Sequence, residues 1–188
     1  MDQVSVNRLS KFLSWVLRHQ PEAIGITLDT NGWTDISSLL QQAALHGHTM
    51  SRETLDHIVH TNSKQRFALD TTGTKIRASQ GHTVDIALGL TPRQPPKTLY
   101  HGTAVTYADP IATKGILKQQ RQHVHLSSEI TTARQVGQRH GVPHIFRVDA
   151  ARMYQDGFLF FLSDNGVWLT DHVPAIYLSD IDTAKETK

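Results

Sequence analysis

The stretch RQHVHLS, residues 121–127, decides the fold of the second half of this chain. Its side chains alternate, so His123 and His125 share one face of a predicted strand and the apolar residues share the other. One helix length upstream, the stretch YHGT at residues 100–103 ends a second short predicted strand. Both strands carry imidazole, glycine or hydroxyl groups, and Arg121 adds a guanidinium. These groups are typical of a site for a polar ligand that carries phosphate.

A third element places another arginine–histidine pair at the end of the first predicted helix. Apolar residues recur at helical spacing over residues 9–17, and Pro21 ends the pattern. Arg18 and His19 fall outside the apolar stripe, so both can project from the core. A cation at a helix C-terminus is favourable by about 0.3–1 kcal/mol in any case, so a purely structural role is also possible. Together with the two strands, this pair predicts a phosphate site built from both halves of the chain.

Composition excludes several classes of protein. The 188 residues contain no cysteine, which rules out disulfide scaffolds, thiolate metal sites and a cysteine nucleophile. No apolar run approaches the ~18–20 residues that span a bilayer, and the first residues lack the pattern of a signal peptide. We therefore expect a cytoplasmic protein, monomeric and without a membrane partner.

Charge is unevenly distributed, although the formal net charge is only +2. Residues 1–90 carry eight basic and eight acidic side chains, whereas residues 93–147 carry eight basic and two acidic ones. Such a basic band indicates an anionic partner, either nucleic acid or a nucleotide. An ordinary solvated face is the alternative interpretation.

The first half reads as three helices followed by a hairpin. Its predicted elements are helices over residues 9–17 and 35–46, a helix that Ser51 caps, and strands over residues 66–69 and 75–78. Alternation puts Lys64 and Arg66 on one face of the first hairpin strand and Phe67 in the core. We predict a winged-helix-like lobe over residues 1–88.

Residues 89–97, GLTPRQPPK, form the predicted linker. Beyond it, strands alternate with short helices, which predicts an α+β lobe over residues 98–181 and a frayed tail over residues 182–188. The predicted strands cover residues 98–101, 123–127, 144–149, 158–162, 166–170 and 175–179, and the helices cover 106–114 and 129–140, ending at Gly115 and Gly141.

Single residues in this lobe have more than one interpretation. The His-x-His spacing of His123 and His125 can bind a metal, but without a nearby carboxylate or cysteine, hydrogen bonds to a ribose or phosphate fit better. Gly102 either lets the backbone approach a ligand or forms a turn. Gly137 inside a helix indicates close packing or ligand approach. Ser127 either caps the next helix or donates to a ligand.

Taken together, these elements resemble the RNA 2′-phosphotransferase family, the Tpt1/KptA proteins. Each stretch that carries the resemblance is weak evidence when taken alone. The order and spacing of all the stretches together identify the family. The stretches are SKFLS (10–14), LRH (17–19), GW (32–33), KQRF (64–67), IRASQGH (76–82), LYHGT (99–103), RQHVHLS (121–127), VGQR (136–139) and NGVWLT (165–170).

The resemblance implies a winged-helix RNA-binding lobe and an ADP-ribosyltransferase-like, NAD-binding lobe of split antiparallel sheets. It implies a transferase that removes an internal 2′-phosphate from RNA, such as the splice-junction phosphate of tRNA, and that consumes NAD+ without a metal. The 2′-phosphate attacks C1″ of the nicotinamide ribose and expels nicotinamide. The ribose 2″-hydroxyl then attacks the phosphate, which releases RNA with a 2′-hydroxyl and ADP-ribose 1″,2″-cyclic phosphate.

The resemblance also assigns roles to residues. It implies a catalytic tetrad of Arg18, His19, Arg66 and Arg121. Arg18, His19 and Arg66 would bind the RNA 2′-phosphate, and Arg121 would lie near the transferring phosphate and the ribose. It places His101, Gly102, Thr103, His125 and Ser127 at the NAD+ site, with Arg139 as a further phosphate contact. The nucleophile is already an anion, so the first step needs no general base, whereas the second needs charge stabilisation and proton handling.

Two other functions stay open at this point. A related ADP-ribosyltransferase could stop after the first step, and ADP-ribosylated RNA would then accumulate. A non-enzymatic winged-helix regulator would bind a duplex with strong salt dependence and make no use of NAD+. The complete tetrad argues against the first function, and the histidine-rich strands argue against the second.

Overall fold

Residues 3–181 are described by the computed structural model, so the predicted tail over residues 182–188 lies outside the described residues. The chain folds into two compact units that divide between Leu90 and Thr91, a position inside the proline-rich stretch over residues 89–97. No helix within residues 3–181 combines the length and the apolar character needed to cross a membrane.

Three α-helices belong to the first unit: α1 (Gln3–Arg18), α2 (Ile36–Leu45) and α3 (Arg52–Thr61). A short 3-10 turn, Pro21–Ile24, follows α1. Side chains cap the other two helices, because Asp35 Oδ1 accepts from Ser38 N at 2.9 Å and Ser51 Oγ accepts from Thr54 N at 3.2 Å. Each cap satisfies a backbone donor that the helix leaves unpaired. The three predicted helices are confirmed, and α1 begins before its apolar stripe.

A three-stranded antiparallel sheet completes the first unit. Its strands are β1 (Thr34–Asp35), β2 (Phe67–Leu69) and β3 (Lys75–Ala78), in the order β1-β3-β2. The predicted hairpin is confirmed, with Phe67 paired to Ala78 and buried in the core as expected. The sequence analysis missed β1, because two residues between a turn and a helix are too few to show alternation.

One face of α1 lies at the centre of the first core. Leu13, Val16 and Leu17 are fully buried. They belong to a cluster with apolar residues of α2, α3 and the sheet, among them Ile36, Leu39, Leu55, Ile58, Phe67 and Ile76. Burying a side chain of this size contributes about 1.5–3 kcal/mol, so the apolar stripe determines the rotation of α1 about its own axis. The opposite face of α1 carries polar side chains.

Short strands and short helices alternate in the second unit. The helices are α4 (Ala108–Lys114), α5 (Ile130–Gly137) and α6 (Ala150–Gln155), and the strands are β4 (Thr98–Ala104), β5 (Ile116–Leu117), β6 (Val124–Leu126), β7 (Pro143–Asp149), β8 (Phe161–Leu162), β9 (Trp168–Thr170), β10 (His172–Val173) and β11 (Leu178–Asp180). All strand pairs are antiparallel, in sheets ordered β11-β7-β4, β6-β9-β8 and β10-β5. The predicted α+β class is confirmed.

Several predicted boundaries in the second unit are wrong. Strand β4 runs through Gly102 to Ala104 instead of ending at residue 101, and α5 ends at Gly137 instead of residue 140, so Gly141 is not its cap. A 3-10 turn, Ala175–Tyr177, occupies most of the last predicted strand. The analysis missed β5 and β10, which have two residues each, and α6, which is shorter than two turns. Such short elements carry too little periodicity to be recognised.

Helix α5 packs against β4 with almost no space between their backbones. A Cβ built at Gly102 would lie 1.7 Å from the carbonyl oxygen of Ala133, and one built at Gly137 would lie 2.6 Å from that of Thr103. Only glycine is compatible with these distances. Gly102 is therefore not a turn residue, and the close-packing interpretation of Gly137 is confirmed.

We predict that Gly102→Ala lowers the free energy of unfolding by roughly 3 kcal/mol, because the added methyl group meets backbone atoms that cannot move aside. Denaturant unfolding followed by circular dichroism measures the loss. Gly157→Ala is the matched control, since Gly157 has a φ of 94° but no atom within 4 Å of its Cβ position, and it should lose only about 1–2 kcal/mol. Equal losses in the two variants would contradict the packing argument.

Candidate phosphate and nucleotide sites

A pocket of about 440 Å³ opens along the polar face of α1 in the first unit. The residues that line it are Asn7, Ser10, Lys11, Ser14, Trp15, Arg18, His19 and Arg66. All except Arg66 belong to α1 or directly follow it, at the three- and four-residue spacing of one helix face. The structure thus brings together three residues of the predicted tetrad, although Arg66 is distant from the other two along the chain.

The side chain of Asn62 holds Arg66 at this pocket. Asn62 Oδ1 accepts from Arg66 Nη1 at 3.3 Å, and Asn62 Nδ2 donates to Ser10 Oγ on α1 at 3.3 Å. The backbone reaches Arg66 through Gln65, whose φ of 42° lies in the left-handed region that non-glycine residues seldom adopt. Gln65 N donates to Asn62 O at 2.8 Å, which closes the turn. This strained turn therefore directs Arg66 back to α1.

Thr83 contacts both predicted site residues at the end of α1, Arg18 and His19. Its backbone N–H donates to the carbonyl of Arg18 at 2.9 Å, and its Oγ1 lies 3.1 Å from Nδ1 of His19. The same hydroxyl lies 3.5 Å from the Arg18 carbonyl. With the hydroxyl proton directed to that carbonyl, the Thr83 oxygen accepts from Nδ1–H of His19. In this tautomer Nδ1 donates to Thr83, and Nε2 of the neutral ring is an acceptor.

His82, the residue before Thr83, is a buried histidine. It is 1% exposed, and neither ring nitrogen has a hydrogen-bond partner among residues 3–181. Burial, together with the positive charges of Arg18, His19 and Arg77, lowers the pKa of His82 from 6.5 to about 3. His82 is therefore neutral near pH 7. It adds no positive charge beside Arg18 and His19, which are predicted to bind phosphate.

Three residues of the second unit, His101, Arg121 and His125, are linked by hydrogen bonds between β4 and β6. His101 Nδ1 donates to the carbonyl of His125 at 3.1 Å, and Arg121 Nη1 donates to Nδ1 of His125 at 3.0 Å. Burial lowers the pKa of His101, and so does the charge of Arg121, while the bond to the His125 carbonyl raises it. His101 is thus neutral with Nε2 as an acceptor, whereas His125 carries its proton on Nε2 and is a donor there. His101 thus contributes an acceptor and His125 a donor on neighbouring strands.

The backbone of Ser127 holds these strands together. Ser127 and Tyr100 exchange two hydrogen bonds, of 2.8 and 2.9 Å, which join β4 to the end of β6. The Ser127 hydroxyl donates to the Glu129 carbonyl at 3.0 Å and accepts from Glu129 N at 3.1 Å. The hydroxyl proton of Ser127 is therefore donated within the turn before α5. Gly102 and Thr103 lie in β4 and are buried, with Gly102 directed at α5.

Arg139 and His123 do not take part in that chain of hydrogen bonds. Arg139 is exposed in the turn after α5, and its side chain forms no hydrogen bond or ion pair with the described residues. His123 packs edge-on against Phe161, with ring centroids 5.8 Å apart. Burial and the charge of Lys118 lower the pKa of His123, and Asp171 raises it. Within residues 3–181, no three His, Cys, Asp or Glu side chains gather as metal ligands.

A model of the RNA 2′-phosphotransferase, Tpt1/KptA family matches residues 4–172 of this chain. The chain belongs to that family. A probable RNA 2′-phosphotransferase of Trichormus variabilis is 52% identical over 178 residues, which cover 95% of this chain and 98% of the relative. Relatives of the same name from Hahella chejuensis and Acaryochloris marina are 54% and 48% identical, over 94% and 97% of this chain and 95% and 100% of their own length. The predicted membership in this transferase family is confirmed.

Sequence reasoning missed the residues that hold the predicted site residues in place. Asn62 and Thr83 are single polar residues in loops, and they act across separations of 52 and 64 residues. No local periodicity reveals such contacts. His82 stands in the stretch IRASQGH that carries the family resemblance, but a histidine after a glycine gives no local sign of burial.

We predict that part of the pH dependence of stability comes from His82. Because its pKa is lowered to about 3 in the folded protein, the unfolded chain takes up a proton below about pH 6.5 that the folded chain does not. The free energy of unfolding should therefore fall as the pH falls from about 6.5 toward 3, by up to about 1.4 kcal/mol per pH unit. Urea unfolding of the wild type and His82→Leu over this range measures the slope, which should be shallower in the variant. Parallel curves would show that His82 is not the group responsible.

We predict that Thr83→Val removes the preference of His19 for the Nδ1–H tautomer, because valine keeps the shape of threonine without its hydroxyl. Nitrogen-15 NMR of the imidazole ring reports the tautomer directly. Thr83→Ser is the control and should keep the wild-type spectrum. An unchanged His19 spectrum in Thr83→Val would mean that the 3.1 Å contact has no influence on the ring.

Proposed function

We propose that this protein is an NAD+-dependent RNA 2′-phosphotransferase that removes an internal 2′-phosphate from RNA, such as the splice-junction phosphate of tRNA. The observation that supports the proposal most directly is the pocket lined by Arg18, His19 and Arg66. Two permanently charged guanidinium groups and an imidazole match the charge and the acceptor oxygens of a phosphate monoester. A backbone phosphodiester carries less charge and fewer terminal oxygens, so this set of donors favours the 2′-phosphate.

In this proposal the first unit is a winged-helix RNA-binding lobe, and the second is an ADP-ribosyltransferase-like lobe. The order of three helices followed by a hairpin in the first unit supports the first assignment. The excess of basic side chains over residues 93–147 supports an anionic ligand for the second.

The residues of the second unit fit NAD+, which supplies the ADP-ribosyl group that takes up the phosphate as nicotinamide leaves. Nε2 of His101 can accept from a ribose hydroxyl, and Nε2–H of His125 can donate to a ribose or phosphate oxygen. Arg121 uses one guanidinium nitrogen on His125, so other N–H groups are available for phosphate. Gly102 and Thr103 would line the NAD+ site through the backbone of β4, next to His101.

The proposed roles follow from charge. Arg18 and Arg66 bind and orient the 2′-phosphate, which is already an anion and needs no carboxylate to activate it. Nδ1–H of His19 stays on Thr83, so His19 donates a hydrogen bond or a proton to that phosphate through Nε2–H only as the imidazolium. Arg121 stabilises the negative charge that develops when the phosphate passes to the ribose. Ser127 supports the NAD+ site by joining the end of β6 to β4 through its bonds with Tyr100, and Arg139 is a further phosphate contact through its exposed guanidinium.

The deciding experiment is incubation of the pure protein in EDTA with a short RNA that carries one internal 2′-phosphate, with and without NAD+. We expect NAD+-dependent loss of the phosphate, release of nicotinamide and formation of ADP-ribose 1″,2″-cyclic phosphate. Accumulation of ADP-ribosylated RNA would indicate a transferase that stops after the first step. Unchanged RNA and NAD+ would refute the proposed reaction.

We predict that Arg66→Ala weakens binding of 2′-phosphorylated RNA by roughly 10- to 100-fold, because a charge-assisted hydrogen bond to phosphate is lost. Fluorescence anisotropy with RNAs that differ only in the 2′-phosphate measures the effect. The unphosphorylated RNA should bind the variant as it binds the wild type. Arg52→Ala, which removes an exposed arginine paired with Asp56, is the control. Equal losses for both RNAs would instead indicate a general backbone contact.

We predict that Arg121→Ala still binds RNA but slows the transfer of the phosphate to the ribose on the order of 10²–10³-fold, the effect of losing one preorganised donor. Gel separation of the RNA products during a single turnover should show ADP-ribosylated RNA accumulating. Arg93→Ala, in which an exposed arginine outside the predicted site is lost, should behave as the wild type. Unchanged turnover in Arg121→Ala would refute this role.

A further inference from the structure

Two side chains that line the first-unit pocket have no part in the proposed reaction. Trp15 is 41% exposed, although tryptophan is among the most buried residues on average. Lys11 is exposed and forms no ion pair with the described residues. Neither residue contributes to the core of the first unit, so both are available to a ligand.

The position of the indole is supported from within the unit. The ring of Phe12, itself buried, lies 6.4 Å from the ring of Trp15 and stacks at 3.8 Å on the ring of His48. These aromatic contacts hold Trp15 from one side, and the pocket lies on another. A held aromatic face beside a charged pocket is the arrangement on which nucleobases stack.

Helix geometry sets the distances along this face. Lys11, Trp15 and Arg18 follow one another at spacings of four and three residues, so Trp15 lies about 4.5 Å and Lys11 about 10.5 Å from Arg18 along the axis of α1. If Arg18 binds the 2′-phosphate, the indole is within reach of a base attached next to it. Lys11 is then one nucleotide further along the strand.

The lining residues select the kind of ligand. None of them is acidic, whereas Lys11, Arg18 and Arg66 are cationic. A ligand that follows the pocket must therefore offer several negative charges at intervals as well as a flat apolar surface. Single-stranded RNA has both properties.

We propose that Trp15 and Lys11 form a nucleotide subsite, in which the indole stacks on a base that flanks the 2′-phosphate and Lys11 binds the adjoining backbone phosphate. This subsite rests on the proposed function, since it takes the 2′-phosphate to lie at Arg18. Every base presents a stacking face, so the subsite recognises a flanking nucleotide without selecting its sequence. It favours a phosphate embedded in an RNA strand over a free phosphate or a phosphorylated mononucleoside.

The test compares a short RNA carrying one internal 2′-phosphate with the same RNA in which the flanking nucleotides are abasic. Binding is measured by fluorescence anisotropy without NAD+. Trp15→Ala should weaken binding of the base-bearing RNA on the order of 10-fold and leave binding of the abasic RNA unchanged. Trp15→Phe should retain most of the affinity. Tyr154→Ala, which removes a 39% exposed aromatic residue of the second unit, is the matched control.

Lys11 is tested through the salt dependence of the same binding. Lys11→Gln should lower the slope of log affinity against log salt by about 0.7, the value for one single-strand phosphate contact. Lys114→Gln, which removes an exposed lysine of α4, should leave the slope unchanged. Circular dichroism verifies that each variant is folded.

The outcomes separate the subsite from the reaction. Equal loss of both RNAs in Trp15→Ala, no loss of either, or an unchanged salt slope in Lys11→Gln would overturn the subsite. Base-dependent binding through Trp15 without NAD+-dependent removal of the phosphate by the wild type would uphold the subsite and refute the proposed reaction. Turnover by the wild type with no difference between base-bearing and abasic RNA would refute the subsite alone.

Discussion

The burial of one face of α1 is the constraint on which the first unit depends. Leu13, Val16 and Leu17 have no exposed surface, and exposing any of them would lose about 1.5–3 kcal/mol. The helix therefore cannot rotate about its axis. With 3.6 residues in each turn, the side chains opposite this stripe are determined at the same time. The same packing that stabilises the unit thus presents Arg18 to the pocket.

Loops that return to α1 complete this arrangement. The turn before β2 returns Arg66 to the helix through Asn62, and the segment after β3 returns Thr83 to its last residues. Three cationic or imidazole side chains close to one another repel when charged, and their positions must be held against that repulsion. Hydrogen bonds to the neutral side chains of Asn62 and Thr83 hold Arg66 and His19 without introducing a competing negative charge. His82, which is buried beside them, is neutral and therefore adds nothing to this repulsion.

The second unit relies on close backbone contact instead of a helix face. Gly102 and Gly137 allow α5 to lie directly on β4, and the bridge between Tyr100 and Ser127 joins β4 to the end of β6. These contacts determine the separation of His101 and His125. Each histidine then receives its tautomer from the hydrogen bond at Nδ1, so backbone geometry decides which ring nitrogen donates and which accepts. Packing therefore decides which ring nitrogen of His101 and of His125 carries the proton.

Local patterns predicted much of this architecture. The apolar period of α1, the cap at Ser51, and the hairpin around Phe67 depend on neighbouring residues, and each appears in the structure. Two-residue strands and the short α6 escaped prediction, because tertiary pairing stabilises them and their own sequence shows no period. Gly102 was difficult to interpret for a different reason, because a glycine at a turn and a glycine packed beneath a helix look identical in sequence.

By itself, the sequence determined the α+β class, the longer helices and strands, the family, and the residue types able to bind phosphate. These follow from periodicity and from motifs that reside within a few consecutive residues. Only the tertiary structure decided that Arg66 joins Arg18 and His19 at one pocket, that Thr83 orients His19, that His82 is buried and neutral, and that His101 and His125 present an acceptor and a donor. The physical reason is that hydrogen bonds, burial and the resulting pKa shifts act between atoms brought together across the chain, and nothing in the local sequence encodes those distances.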